Sequence, residues 1–297
     1  MSTLRLRPKP LACAAALGAT VVVAGFASGA TKASAKPSAQ AAPAQGVSEN
    51  WAGYVDTGRS FGSVSASWVQ PQVSADQETA QSYSAFWVGL GGARNQSQSL
   101  EQVGTAADDV NGQVQYYAWY ELVPAAQQQL KIAVSPGDRM LGRVTVSGTT
   151  VTVYLANETT GTSVTKTLQM ERPDTSSAEW IAEAPAAQAA GGYERILPLA
   201  NFGKVTFSDP TATADGHTGG ISDSDWSTTR LDLQAPSASR TTPGPNGFFQ
   251  YGSASVESTS AAGAKTSSLS HTGFSVSWSP SAAPTVIQVP YGLHTAL

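Results

Sequence analysis

The sequence predicts an all-β protein, an antiparallel sandwich or barrel. Three observations point there. Short runs alternate apolar and polar residues at period two, and turn-forming residues separate them. The composition is rich in Val, Thr, Ser and aromatic residues and poor in Lys and Glu, which favours strands. Only 13% of the 297 residues are charged, about half the usual share of roughly 25%. The 7 Trp, 9 Tyr and 8 Phe argue against charge-driven disorder. With 17 basic and 21 acidic residues there is no basic patch for a nucleic-acid backbone. A heptad coiled coil needs far more Glu, Lys and Leu. The length allows one large all-β domain or two smaller ones.

Taken in order, residues 1–35 read as an export signal. Arg5, Arg7 and Lys9 precede an apolar run from Leu11 to Phe26, and small residues close it at Ala33-Ser34-Ala35 or Ala27-Ser28-Gly29-Ala30. A permanent membrane anchor is the alternative, but the run is short and rich in Ala and Gly. A lipoprotein reading of Cys13 is weaker, because the cysteine precedes most of the apolar run. Removal of residues 1–35 leaves a chain without cysteine, exported yet owing nothing to disulfides. It also leaves 13 basic against 21 acidic residues, a net of −8. The expected location is extracellular, without stable membrane association and as a monomer.

Residues 36–46 are Pro/Ala/Gln-rich and read as a linker or short pro-segment. The domain proper is expected over residues 47–278. Its predicted strands include Ser63–Val69, Phe86–Leu90, Val114–Leu122, Arg143–Val146, Val151–Leu155, Lys204–Phe207 and Phe274–Trp278. Asn111-Gly112, Pro136-Gly137-Asp138, Ser147-Gly148 and Thr160-Gly161 mark turns. The alanine-rich stretch Ala178 to Ala190 fits a helix broken by Pro185, or equally a strand over Glu179–Glu183 followed by a loop. Residues 209–247 are expected to be long loops decorating the domain. Residues 279–297 are expected to be a Pro-rich tail, with one further strand conceivable at Thr285–Val289.

Several chemistries are excluded or disfavoured by residue type. A mature chain without cysteine has no cysteine nucleophile. His217, His271 and His294 are not spaced as metal ligands, so no metal or other cofactor is expected. No G-x-S-x-G elbow and no phosphate loop occur. Carboxylates and amides beside aromatics remain. Tyr117, Trp119 and Glu121 share one strand face, as do Glu179, Ile181 and Glu183, and Gln102 lies with Leu100 and Gly104. Such a face reads either as a groove for an extended ligand or as an ordinary half-solvated sheet surface.

An ordered set of motifs sharpens this. In sequence these are Asn50-Trp51-Ala52-Gly53, Trp87-Val88-Gly89, Gln102-Val103-Gly104, Ala118-Trp119-Tyr120-Glu121 with Pro124, Asn157 with Thr159 to Gly161, Ala178-Glu179-Trp180-Ile181-Ala182-Glu183 and Phe202 to Phe207. Over this half of the chain the sequence resembles the glutamic peptidases (eqolisins), secreted acid endopeptidases. The resemblance implies a sandwich of two large antiparallel sheets of the concanavalin-like, jelly-roll type. It implies polypeptide substrates and a catalytic pair at Gln102 and Glu183. It further implies that Trp51, Trp87, Trp119 and Glu121 line the substrate groove. The expected mechanism has ionised Glu183 as general base on water and then as acid, with Gln102 donating to the developing oxyanion. The aspartate that members carry shortly after Trp-Val-Gly is replaced by Gly91 and Gly92, and an acidic position before Trp-Tyr-Glu is Tyr117. These departures bear on substrate preference and pH optimum. A glycoside hydrolase or carbohydrate-binding sandwich using Glu121 and Glu183 is the alternative. A secreted surface protein without catalysis is a second one.

Overall fold

Residues 42–75, 81–94, 97–188, 194–234 and 262–280 are described by the structure, a computed structural model. The export-signal stretch, His294 and the strand conceived at Thr285–Val289 lie outside these residues.

Every regular element among the described residues is a strand. In chain order they are β1 (Ala44–Ser48), β2 (Trp51–Thr57), β3 (Phe61–Val69), β4 (Gln81–Gly91), β5 (Leu100–Val110), β6 (Gln113–Val123) and β7 (Gln128–Leu130). Next come β8 (Arg139–Ser147), β9 (Thr150–Asn157), β10 (Thr162–Gln169), β11 (Ser177–Glu183), β12 (Ala186–Gln188) and β13 (Glu194–Ile196). The last are β14 (Lys204–Ala214), β15 (His217–Gly220), β16 (Ser227–Leu233), β17 (Gly263–Thr266) and β18 (Gly273–Ser279). One hydrogen-bonded path runs β10-β9-β8-β3-β14-β18-β17-β16-β2-β11-β4-β5-β6-β7, while β12 and β13 form a separate ribbon. Strand pairing is antiparallel except for β1, which adds in parallel to β16.

The predicted turns explain the tight connections. Asn111 and Gly112 both have positive φ (55° and 80°), as a two-residue type I′ hairpin requires between β5 and β6. Asp215 and Gly216 do the same (51° and 81°) between β14 and β15. The Asn157 motif is also a turn. Its buried amide donates to Ala133 O at 3.0 Å and Asp138 Oδ2 at 2.7 Å, and its Oδ1 accepts from the Thr159 and Thr160 N–H groups.

The two halves of the path pack on each other. The Trp68 indole on β3 donates to Thr105 Oγ1 on β5 at 2.9 Å, and the Trp180 indole on β11 donates to Ser65 O on β3 at 3.0 Å. Gly142 on β8 lies against both Trp68 and Val88, so that a Cβ there would fall 2.9 Å from the Trp68 ring. Trp68, Trp180, Phe86, Phe207, Met140 and Leu155 are fully buried in the resulting core. Truncating one such aromatic to Ala typically costs about 3–5 kcal/mol.

Three expectations are settled or changed. The Ala178 stretch is a strand and not a helix, because β11 is inserted between β2 and β4 and buried on both faces. The expected loops after residue 209 are instead strands as far as Leu233. Thr- and Ser-rich runs such as Ser227–Leu233 pair along β2, where β propensity of Thr matters more than low apolar content. The stretch expected as linker is ordered from Ala44, where β1 extends the ladder of β16.

Candidate active site

The site is built on five adjacent strands, β2, β11, β4, β5 and β6. Their registers align residues into rows across one face. One row is Trp51, Glu183, Ala85, Ala106 and Tyr117; the next is Gly53, Ile181, Trp87, Gly104 and Trp119; the third is Val55, Glu179, Gly89, Gln102 and Glu121. All six residues expected at the site therefore fall on one face within three rows. The opposite face carries Phe86, Val88, Val103, Ala118 and Trp180 into the main core. The site face has a smaller apolar cluster of its own, centred on Trp51, Trp87, Trp119 and Ile181.

Trp87 organises this face. Its indole N–H donates to Glu183 Oε2 at 2.6 Å. The Trp51 ring meets it edge-on, with centroids 5.1 Å apart and planes at 78°. Two glycines make room for it. A Cβ on Gly104 would lie 2.6 Å from Trp87 Cβ and 2.3 Å from Phe86 O, and a Cβ on Gly89 would lie 2.9 Å from Trp87 Cζ3. The glycines of the Trp-Val-Gly and Gln-Val-Gly motifs thus serve one side chain.

Glu183 is 6% exposed. Besides Trp87, Asn50 Nδ2 donates to its Oε1 at 3.3 Å. Burial pushes its pKa up to about 8, and the negative Glu121 adds to this, while the N–H groups of Trp87, Trp51 and Asn50 act in the opposite direction. Burial thus disfavours the ionised form of Glu183, and the N–H donors around it offset this in part.

Gln102 is 3% exposed. Its Nε2 donates to Glu121 Oε2 at 2.8 Å, which occupies one of the two amide N–H bonds. Gln102 and Glu183 share no hydrogen bond. They stand diagonally across β4, with Trp87 in the row between them. The Trp119 indole N–H is buried on the same face without a hydrogen-bond partner.

Three participants had no clear signal in the sequence. Asn50 contacts a residue 133 positions away, and nothing local to Asn50-Trp51 foretells that. Asp108 accepts from the Tyr117 hydroxyl at 2.8 Å, and burial raises its pKa to about 6. Glu179 is fully buried one row from Trp87. Neither of its carboxyl oxygens makes a hydrogen bond of normal geometry. Burial holds its pKa well above the usual range; Ser177 offsets this in part, while Asp174, Glu101 and Asp56 add to it. Away from this face, His217, Asp223 and Asp225 bring potential metal donors within 4.8 Å of one another. His217 and Asp223 already pair at 2.9 Å, and the Asp225 N–H caps Asp223, so these contacts close the turn between β15 and β16.

An all-β fold with a tryptophan-held glutamate and a glutamate-held glutamine on one face defines a class of hydrolase that known proteins identify. Residues 49–244 match the peptidase A4 family, and the chain belongs to that family, the glutamic endopeptidases. It is 32% identical to aspergillopepsin-2 of Aspergillus niger over 201 residues, 59% of this chain and 68% of that protein. It is 31% identical to scytalidopepsin B of Scytalidium lignicola over 184 residues, 60% and 68% of the two chains. The crystal structure of scytalido-glutamic peptidase with a transition-state analogue inhibitor aligns with a TM-score of 0.59 at 26% identity. That alignment covers 79% of this chain and all of the other.

Proposed function

We propose that this chain is a secreted endopeptidase that hydrolyses polypeptides in acid through Gln102 and Glu183. The observation that carries the proposal is the differing support of the two side chains. Glu183 alone among the buried glutamates of β11 is held by neutral N–H donors, and Gln102 alone on that face presents an anchored amide with one N–H left over.

In this mechanism a water lies between Glu183 and the scissile carbonyl. A water donating to Glu183 adds a hydrogen bond to its ionised form, as Trp87 and Asn50 already do, and so lowers its pKa on binding. Glu183 takes the proton of the attacking water and later gives it to the leaving nitrogen. The free N–H of Gln102 donates to the carbonyl oxygen as charge grows there. One such fixed donor is worth about 2.7–4 kcal/mol. Glu121 keeps the amide oriented, so its reorientation does not add to the barrier. Trp51, Trp87 and Trp119 form the apolar floor for an extended substrate. We further read the two facing halves of the strand path as the layers of a jelly-roll-type sandwich over residues 47–278, with residues 1–35 as the export signal.

The test is digestion of an acid-unfolded protein by the purified enzyme, with aspartic-peptidase inhibitors present. Cleavage that survives those inhibitors and disappears in Glu183→Gln is expected. Sugar release from polysaccharides without proteolysis would overturn the reading in favour of a glycoside hydrolase.

A further inference from the structure

Where the site face ends, a second feature begins. Leu100, Val123 and Ala93 close the small apolar cluster at that end. Immediately beyond them is a cavity of about 800 Å³ whose walls include Arg94, Ser99, Pro124, Arg172 and Asp174. One wall is the segment leading into β11, the strand of Glu183. The other is the segment leading into β5, the strand of Gln102. The two walls are tied together. Ser99 Oγ donates to Arg172 O at 2.7 Å, and the Asp174 N–H donates to Glu101 Oε1 at 3.2 Å, one residue before Gln102.

The charges in this cavity are unevenly used. Asp174 is saturated by donors from its own walls: the Ser97 hydroxyl and Gly92 N–H on Oδ2, and the Ser176 N–H on Oδ1 at 2.8 Å. Burial pushes its pKa up, but the hydrogen bonds from Ser97 and Ser176 outweigh that and hold it below the usual range. Neither Arg94 nor Arg172 forms an ion pair with it. Arg94 and Arg172 make no ion pair or side-chain hydrogen bond among the described residues, and the exposed Glu171 on the same wall pairs with neither. Two guanidinium groups on the rim of one cavity, both without a partner and permanently charged, are a receptor for a carboxylate.

We propose that this cavity is a substrate subsite that takes a carboxylate of the bound peptide, with Arg94 and Arg172 as its anion-binding residues. The proposal rests on the peptidase reading above. Ser99 lies three residues from Gln102 along β5, roughly 10 Å at about 3.4 Å per residue. A peptide extended along the face then places its third or fourth residue from the scissile bond at the cavity. The carboxylate comes from an Asp or Glu side chain there, or from the chain terminus of a short peptide.

The experiment is a set of matched peptides cleaved at one bond. Glu or Gln stands at the second, third or fourth position on either side, each with a free or amidated C-terminus. kcat/KM is measured at about pH 5, where peptide carboxylates are mostly ionised, for wild type and for Arg94→Gln/Arg172→Gln, whose thermal melting is checked. Wild type is expected to favour one Glu position, or the free terminus, by roughly five- to tenfold, the range of solvent-exposed charge pairs acting together. The double variant is expected to bring that ratio close to one. The position of the effect tells a side-chain carboxylate from the terminal one. Equal rates for all matched peptides with wild type, or a preference that survives in the double variant, overturn the subsite. Binding to Glu183→Gln separates the two levels of failure. A Glu preference in binding to this variant, with none of the peptides cleaved by wild type, supports the subsite while overturning the peptidase mechanism. Binding without preference overturns the subsite alone.

Discussion

Glu183 and Glu179 stand four residues apart on the same face of β11, and both are nearly or fully buried. Their surroundings differ. Glu183 meets the indole of Trp87, the amide of Asn50 and the edge of the tryptophan cluster. Glu179 points toward an end of the sheet where Asp174, Glu101 and Asp56 are the neighbouring charges, and no donor of normal geometry reaches it. Burial raises the pKa of both. At Glu183 the donors favour the ionised form against that burial. At Glu179 only the Ser177 hydroxyl does so, and three neighbouring carboxyls act the other way. Sequence position and burial do not separate the two carboxyls; the donors around them do.

The comparison breaks first on activity. Glu183→Gln is expected to lower kcat/KM at acid pH by about 10³- to 10⁴-fold, near the upper range for loss of a general base. Glu179→Gln is expected to stay within a few fold of wild type. The reverse outcome would exchange their roles. Gln102→Ala comes next, with a loss of about 10²- to 10³-fold in kcat and a smaller change in KM. A Gln102→Ala enzyme with near wild-type kcat would remove the oxyanion role.

Stability tests the other half of the comparison. Burial places Asp56 at about 9, and Glu101 and Glu183 at about 8, with Glu179 also raised. The unfolded chain releases these protons near pH 4. The folded state thus binds more protons than the unfolded state from about pH 4 to 8. The stability these groups contribute is full below that window and declines as pH rises through it. Asp174, held below its usual value, acts in the opposite direction and only at low pH. Thermal unfolding is expected to show a Tm at least roughly 10 °C lower at pH 7.5 than at pH 4. Glu179→Gln should flatten that slope by about one group's share. A Tm higher at pH 7.5 than at pH 4 would show that these carboxyls are not protonated in the fold. The low content of basic residues fits the same picture, because few positive charges are left to repel one another in acid.

Much of this molecule was legible before its structure. Period-two alternation located most of the central strands, and Asn-Gly and Ser-Gly located their turns. The six candidate residues came from an ordered set of motifs, and strand register places them on one face. Three things were not. Alanine content at Ala178 to Ala190 left helix and strand equally open, and only pairing on both sides made β11 a strand. The Thr- and Ser-rich strands after residue 209 lack the apolar alternation that marks a half-buried face. The protonation of Glu183 depends on desolvation by residues brought from five strands, which no local pattern records.

The smallest expected effect is the most specific to the Trp87 contact. Trp87→Phe keeps a large aromatic over Gly89 and Gly104 but removes the N–H that donates to Glu183 at 2.6 Å. That hydrogen bond favours the carboxylate, so its loss raises the pKa of Glu183. In the proposed mechanism the carboxylate accepts the water's proton. The acid limb of the kcat/KM profile is therefore expected to move to higher pH by about one unit, with a maximal rate reduced by no more than roughly tenfold. A hydrogen bond to a charged group contributes about 1.5–3 kcal/mol, enough for a shift of this size. An acid limb that stays in place while the rate falls would mean that Trp87 only shapes the floor. An acid limb left in place with the alkaline limb moved to higher pH would show that Glu183 works first in its protonated form, and the order of its two roles would be reversed.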